Sequence, residues 1–406
     1  MRINANRLLN GLAELAAIGA LPGGGVQRLA FTPEDLRGRD YVAGRLRLLG
    51  LEPRVDAVGN LFAIRPGTEA HAPVVLIGSH TDTVGSGGRF DGALGVLAAL
   101  EILARLQEEL VQTRFPVGLV SFVNEEGARF MPDMMGSLYL RGDLDTDAVR
   151  RIAGTDGSTI GDNLDQLGMA GTDSLIGVPL RAFLELHIEQ GPELEGLNLP
   201  AGVVTGVQGL RWMEVRLKGR SNHAGTTPMA NREDAGLVAA QITAAVRRLA
   251  LDTPGLRGTV GRITLSPNLI NVIPSEAALT VDLRHPSQES LDNAVAKMKA
   301  DILTLAAKEG VTCQIEETAS APAVEFDPDV VAAVEAGMES LGLEPHGLIS
   351  GAGHDAQILA AQCPAAMVFV RSRDGISHNP REFTSDDDCV TGADILLQAV
   401  LHLAKV

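Results

Sequence analysis

Cysteine is nearly absent from the chain: Cys313, Cys363 and Cys389 are odd in number, far apart, and include no CxxC pair. That spacing excludes a disulfide framework and a zinc ribbon, and points to reduced, mostly buried thiols in a cytoplasmic protein. Aromatic residues are equally scarce at 3%, whereas glycine reaches 45 residues, a balance that suits helices packed closely on a sheet. No apolar run approaches the length needed to span a bilayer. The N-terminal MRINANRLLNGLAELAAIGAL comes nearest, but Glu14 interrupts it. Leu8, Leu12, Leu15 and Ile18 recur there at helical spacing, so an amphipathic helix is expected and a signal peptide is not. Basic charge is also short, with 34 Lys and Arg against 51 Asp and Glu and a formal net charge of −17. Neither a nucleic acid nor an anionic membrane surface would be attracted, and neither is expected as a partner.

What is present is enough apolar material, 45% of 406 residues, for two compact units. PVVLIGSH (73–80), FPVGLVSFVN (115–124), RAFLELHI (181–188) and AAMVFVRS (365–372) read as continuous apolar strands. They alternate with helical stretches at 34–49, 92–110, 328–342 and 386–404. Such alternation predicts an α/β fold with a covered, mostly parallel sheet. The middle of the chain differs. RWMEVRLKG (211–219) alternates as a half-buried strand, followed by a helix at 231–250, strands at 258–265 and 276–284, a helix at 288–309 and a strand at 311–317. The order β-α-β-β-α-β is that of a ferredoxin-like α+β domain. The expected division is 1–210 with 325–406 as one discontinuous domain, interrupted by 211–324.

In a parallel sheet, active groups gather at the carboxyl ends of the strands. His80 ends the first apolar strand and Asp82 follows it; Asp91 lies in GGRFDG just before the long helix. Glu125 and Glu126 end the second strand, His187 lies near the end of the third with Gln190 after it, and His378 follows the fourth in GISHNP. Each alone has an ordinary explanation, an Asp before a helix being most often an N-cap. Together, four strand ends delivering His, Asp or Glu read as a shared metal site. Two cations need terminal ligands and one bridging carboxylate. His80 and His187 suit one ion, Glu126 and His378 the other, with Asp91 between them. Adjacent residues in extended chain face opposite sides, so Glu126 can ligate while Glu125 stays free to take a proton from the attacking water. Asp82 is placed to hold the His80 imidazole in the correct tautomer.

The segments GSHTDTVGSGGRFDG (78–92), NEEGARF (124–130), ELHIEQG (185–191), GRSNHAGTTPM (219–229), NVIP (271–274), DLRH (282–285), SGAGHDA (350–356) and GISHNP (375–380) carry a resemblance. The chain resembles the M20 family of dinuclear metallohydrolases, and within it the hydantoinase/carbamoylase-type amidases. The resemblance implies two divalent ions per subunit (zinc, manganese, cobalt or nickel) held by His80, Asp91, Glu126, His187 and His378, with Glu125 as general base. It implies substrate contacts from Gln190, from Gly353 and His354 of SGAGHDA, and from Asn271 and Arg284, which would grip a carboxylate. His223 would stabilise the developing oxyanion in the partner subunit's site. The inserted domain would serve as lid and homodimer surface.

The implied activity is hydrolysis of the ureido group of a small N-carbamoyl-L-amino acid, with allantoate and N-carbamoyl-β-alanine as alternative substrates. A catalytically silent, ligand-binding relative would be expected to lack a ligand or the base. None is missing.

Overall fold

In the computed structural model, which describes residues 1–406, the apolar runs become the middle of a nine-stranded sheet. Val117–Phe122, Val74–His80, Leu180–Ile188 and Ala365–Val370 lie side by side in that order and run parallel. They are buried almost throughout, because helices cover both faces of a sheet whose strands are continuously apolar. Ala93–Glu108 packs on the first two of these strands in chain order, and Asp386–Ala404 packs on the last. The margins are antiparallel. Leu61–Arg65 pairs with Val117–Phe122, and Ala201–Val207 with Ala365–Val370.

Register decides what the sheet can present. His80 is opposite Phe122, and His187 is opposite Phe369. Continuing the Ile77–Leu184 pairing by three residues brings His80 level with His187, and their ring centroids are 5.9 Å apart. The parallel strands therefore finish together and deliver their next residues to one edge. This unit comprises Met1–Gly206 and Glu325–Val406.

The second unit, Val207–Val324, is an antiparallel sheet ordered Thr312–Ala321, Gly209–Lys218, Glu276–His285 and Arg257–Thr259, with Ile263–Ser266 also on Glu276–His285. Met213, Val215 and Leu217 face inward with Leu279, Val281 and Leu283, the period of two expected of strands with one covered face. Ala235–Asp252 and Gln288–Lys308 supply Val238, Ile242, Met298 and Ile302 to the same core. One strand expected at 258–265 is broken. Thr259 pairs with Asp282 but Ile263 with Leu279, so four steps on one strand oppose three on the other. The extra residue shifts the register as a β-bulge does.

Leu279 is fully buried at the centre of this core. Leu279→Ala is expected to cost about 2–5 kcal/mol through lost transfer energy and the cavity left behind. Thermal unfolding should show a lower midpoint for the variant than for the parent protein.

Candidate metal centre

The loops leaving the parallel strands meet around one carboxylate. His80 Nδ1 donates to the main-chain oxygen of Asp82 at 3.0 Å, which turns Nε2 toward Asp91 Oδ1, 3.5 Å away. His187 repeats the device: Nδ1 donates to the Ile188 oxygen at 2.9 Å and Nε2 lies 3.1 Å from the same Oδ1. The other oxygen of Asp91 faces elsewhere. His378 Nε2 is 3.5 Å from Oδ2 and 3.2 Å from Glu126 Oε2. Ligand-type atoms of His80, Asp91 and His187 lie within 4.8 Å of one another, as do those of Asp91, Glu126 and His378. Two triads thus share one aspartate. Glu125 belongs to neither, although its Oε2 is 3.4 Å from His80 Nε2.

Charge is crowded here. Burial pushes Asp91 upward, but the His187 and His80 imidazoles outweigh it and hold the carboxyl well below the usual range. Burial raises Glu125 strongly, and the neighbouring carboxylates add to that shift against the opposing pull of His80. Glu126 is raised by burial and then by the charge of Asp91. The hydrogen bond to Glu126 pushes His378 up to about 9. The ion pairs of Asp91, Glu125 and Glu126 are all with imidazoles.

The donor set fits divalent cations. Histidines tied at Nδ1 to a carbonyl and presenting Nε2 beside carboxylates have the support that metal-binding imidazoles receive. Nitrogen and carboxylate donors together suit zinc and its first-row neighbours.

Asp91 is not the helix cap that its position suggested. The residue capping Ala93–Glu108 is Gly92, at φ 60°, which releases the aspartate side chain toward the histidines. Asp82 also differs from expectation. Its main chain, not its carboxylate, holds His80; the carboxylate lies 3.9 Å from Nδ1 and accepts the N–H groups of Glu125 and Glu126 at 3.2 Å each. The alignment of His80 with Phe122 brings that peptide within its reach. Gln190 commits its amide nitrogen to Asp91 Oδ2 (2.9 Å) and Ser377 Oγ (3.1 Å).

His354 is the N-cap residue of Asp355–Leu359, but its side chain makes no capping hydrogen bond. The side chain is buried, bonded to Ser350 through Nε2 at 2.9 Å, and stacked edge-on to His187 at 4.6 Å, so it packs that imidazole in place. Gly353 precedes it beside Met134. Glu185 could join His187 and His354 as a further triad, but Ser79 Oγ (2.6 Å) and the Ala356 N–H (3.0 Å) occupy its oxygens. Asn124, Gln190 and His378 all have left-handed backbone (φ 52°, 56° and 53°), a conformation that clusters at functional sites. Ser377 and Glu382, which sequence reasoning missed, line the Asp91 loop.

In the second unit, His223 and Asn271 are adjacent, with the Ala224 N–H donating to the Asn271 oxygen at 3.0 Å. Nδ1 of His223 accepts the N–H groups of Gly225 (3.0 Å) and Thr226 (3.2 Å), which puts a neutral imidazole's proton on Nε2. Arg284 holds Asp282 through Nε and Nη2.

The model of peptidase family M20/M25/M40 matches residues 76–402. The chain belongs to this family. N-carbamoyl-L-amino-acid amidohydrolase of Rhizobium meliloti is 40% identical over 406 residues, covering 100% of this chain and 98% of that protein. Allantoate amidohydrolase of Bacillus subtilis is 36% identical over 403 residues, 98% of each. A hydantoinase/carbamoylase-family amidase from Burkholderia multivorans superposes with a TM-score of 0.95 at 42% identity, covering 99% of this chain and 98% of that one. M20 proteins are metallohydrolases and the named relatives are amidohydrolases; this M20 chain is a hydrolase.

A side chain at Gly92 would collide with the His80 ring and strain a left-handed backbone. Gly92→Ala is expected to weaken divalent-ion binding by about tenfold or more, the scale at which disturbed ligand support acts. Metal analysis after dialysis would check it; full retention would place His80 outside the centre.

Proposed function

We propose that the chain hydrolyses N-carbamoyl-L-amino acids to the L-amino acid, carbon dioxide and ammonia, using two divalent ions. The observation that carries this reading is the division of Asp91, whose two oxygens face separate triads. His80 and His187 would hold one ion, Glu126 and His378 the other, and Asp91 both. When bound, the ions polarise the ureido carbonyl and make the attacking water more acidic. Whether they are zinc, manganese, cobalt or nickel depends on supply as much as on these ligands.

The rest is work for side chains. Glu125, outside both triads and with its proton affinity raised by burial, takes the proton of the attacking water. It then hands that proton to the amino-acid nitrogen as the bond from this nitrogen to the carbamoyl carbon breaks. The released carbamic acid falls apart to carbon dioxide and ammonia. Asp82 keeps Glu125 and Glu126 apart in function by fixing both their main-chain N–H groups. His223, with Nε2–H able to donate, suits the oxyanion of the tetrahedral intermediate in the partner subunit's site. Arg284 and Asn271 suit the substrate carboxylate, for which a guanidinium is the natural bidentate partner. Gln190 and Gly353 complete the substrate contacts in this reading.

Full-length similarity to N-carbamoyl-L-amino-acid amidohydrolases at 40% identity favours this substrate class over allantoate, the substrate named for relatives at 36%. N-carbamoyl-β-alanine ranks third. A homodimer formed through Val207–Val324 accords with the exposed Ile263, Leu269 and Ile270 of that unit. A reducing, cytoplasmic setting suits three free thiols. No helix is long and apolar enough to cross a membrane.

Ammonia release from N-carbamoyl-L-methionine, allantoate and N-carbamoyl-β-alanine tests the substrate class. The first should turn over fastest; no release from any of them by protein with two ions bound would refute it. Glu125→Gln should lower turnover by about 10²–10⁴ and keep both ions, whereas Glu126→Gln should cost one ion. The reverse pattern would exchange their roles. Removing the ions with a chelator should abolish turnover, and adding them back should restore it.

A further inference from the structure

Glu382 takes no part in the chemistry above, yet it is 6% exposed beside the shared aspartate. Its Oε1 accepts the main-chain N–H groups of Phe90 (3.0 Å) and Asp91 (3.2 Å). Its Oε2 lies 3.2 Å from the Ser377 hydroxyl, which is itself 2.9 Å from Asp91 Oδ2. These partners are neutral groups, so the carboxylate acts on the backbone and not as half of an ion pair. The space it fills is shaped for it. A side chain at Gly88 would overlap the Glu382 carboxylate, and Gly88 has no positive φ that would otherwise demand glycine.

Two loops are joined by these bonds. One, at residues 88–91, carries Asp91; the other, at 377–382, carries His378. Nothing else found at the centre holds the main-chain N–H of Asp91. Gln190 and Ser377 steady only Oδ2, leaving the approach of Oδ1 to His80 and His187 dependent on where the backbone is held.

We propose that Glu382 is the positioning residue of the shared ligand: it clamps the Phe90–Asp91 peptide to the Ser377–His378 loop, so that the two oxygens of Asp91 face separate triads. The inference rests on Asp91 being the bridging ligand. Without the clamp, Asp91 can settle on one triad and desert the other. The Asp91–Glu126–His378 triad is the more vulnerable, because the His378 side chain is 52% exposed and its loop would lose the same anchor.

The test is calorimetric titration of Mn²⁺ into chelator-stripped protein, with no substrate present. Glu382→Ala and Gly88→Ala are each expected to weaken at least one of two binding events by about tenfold or more, the effect typical of lost ligand support. Circular dichroism of both variants should match the parent. Glu382→Gln should recover part of the affinity, since its amide oxygen can still accept both N–H groups. Asp91→Asn is the control for the premise. If Asp91→Asn loses an ion while the Glu382 and Gly88 variants bind like the parent, the clamp is refuted and the bridging ligand stands. If Asp91→Asn keeps both ions at parental affinity, the premise and the clamp fall together. Should Glu382→Ala fail to fold, Glu382→Gln and Gly88→Ala decide alone, and parental binding by both overturns the proposal.

Discussion

Carboxylates crowded out of water, ion-paired with imidazoles, are the constraint on which this centre depends. Asp82, Asp91 and Glu125 are all buried, and Glu126 meets Asp91 across His378. Like charges this close repel more strongly in a protein interior than in water, and each has also lost hydration. A protonated imidazole offsets one charge and gives up the nitrogen that could ligate. A divalent ion, if the triads hold one, would bring two charges and leave the carboxylates ionised. The crowding that makes the ion-free arrangement costly would therefore favour taking up a cation.

That crowding is produced by register. His80, Phe122, His187 and Phe369 sit at matched levels of four parallel strands, so the chain turns away from the sheet at one edge, four times over. At three of those exits a non-glycine residue takes left-handed backbone: Asn124, Gln190 and His378. Such residues cost about 1–3 kcal/mol each when the conformation is unfavourable, and they persist because the surrounding sheet over-determines them. Asn124 shows how, its amide donating to the main-chain oxygens of Phe130 (2.8 Å) and Pro132 (3.1 Å). Paired strands aim the site, and the Asn124 turn is bonded from behind.

Much of this was legible in the sequence, for reasons that also explain what was not. Continuous apolar runs mark central parallel strands, and a His, Asp or Glu directly after such a run has few places to go. Most of the residues that gather around Asp91 could therefore be read from strand ends. In the second unit, alternation at period two identified the strands, but the extra residue between Thr259 and Ile263 changes no composition and could not be seen. Asp82 was recognised as the support of His80, but its main-chain oxygen and not its carboxylate takes the imidazole N–H. Its closeness to His80 is local and visible, whereas its grip on the Glu125 and Glu126 amides depends on the pairing of two strands distant in sequence. Glu382 and Ser377 act on main chain or through another side chain, so no pattern announces them. The nearest signal was Gly88, a glycine in GSGGRFDG with no turn geometry to explain it. His354 was expected at the substrate because SGAGHDA carries the family resemblance; its burial against His187 is a tertiary fact.

The adjacent glutamates follow from the same physics. Two neighbouring carboxylates at a strand end would be expected to spread into solvent, and here they cannot, because Asp82 holds both amides and the left-handed Asn124 sets the direction of the chain before them. With the peptide pinned, alternation sends the side chains to different company: Glu125 Oε2 to His80, Glu126 Oε2 to His378. A third carboxylate, far from adding to the problem, separates the first two by spending its own oxygens on backbone N–H groups. The pair is thus divided by geometry before any ion arrives. In the proposed reading that division would leave Glu126 to an ion and Glu125 open to take up a proton, although the two differ in sequence only by position.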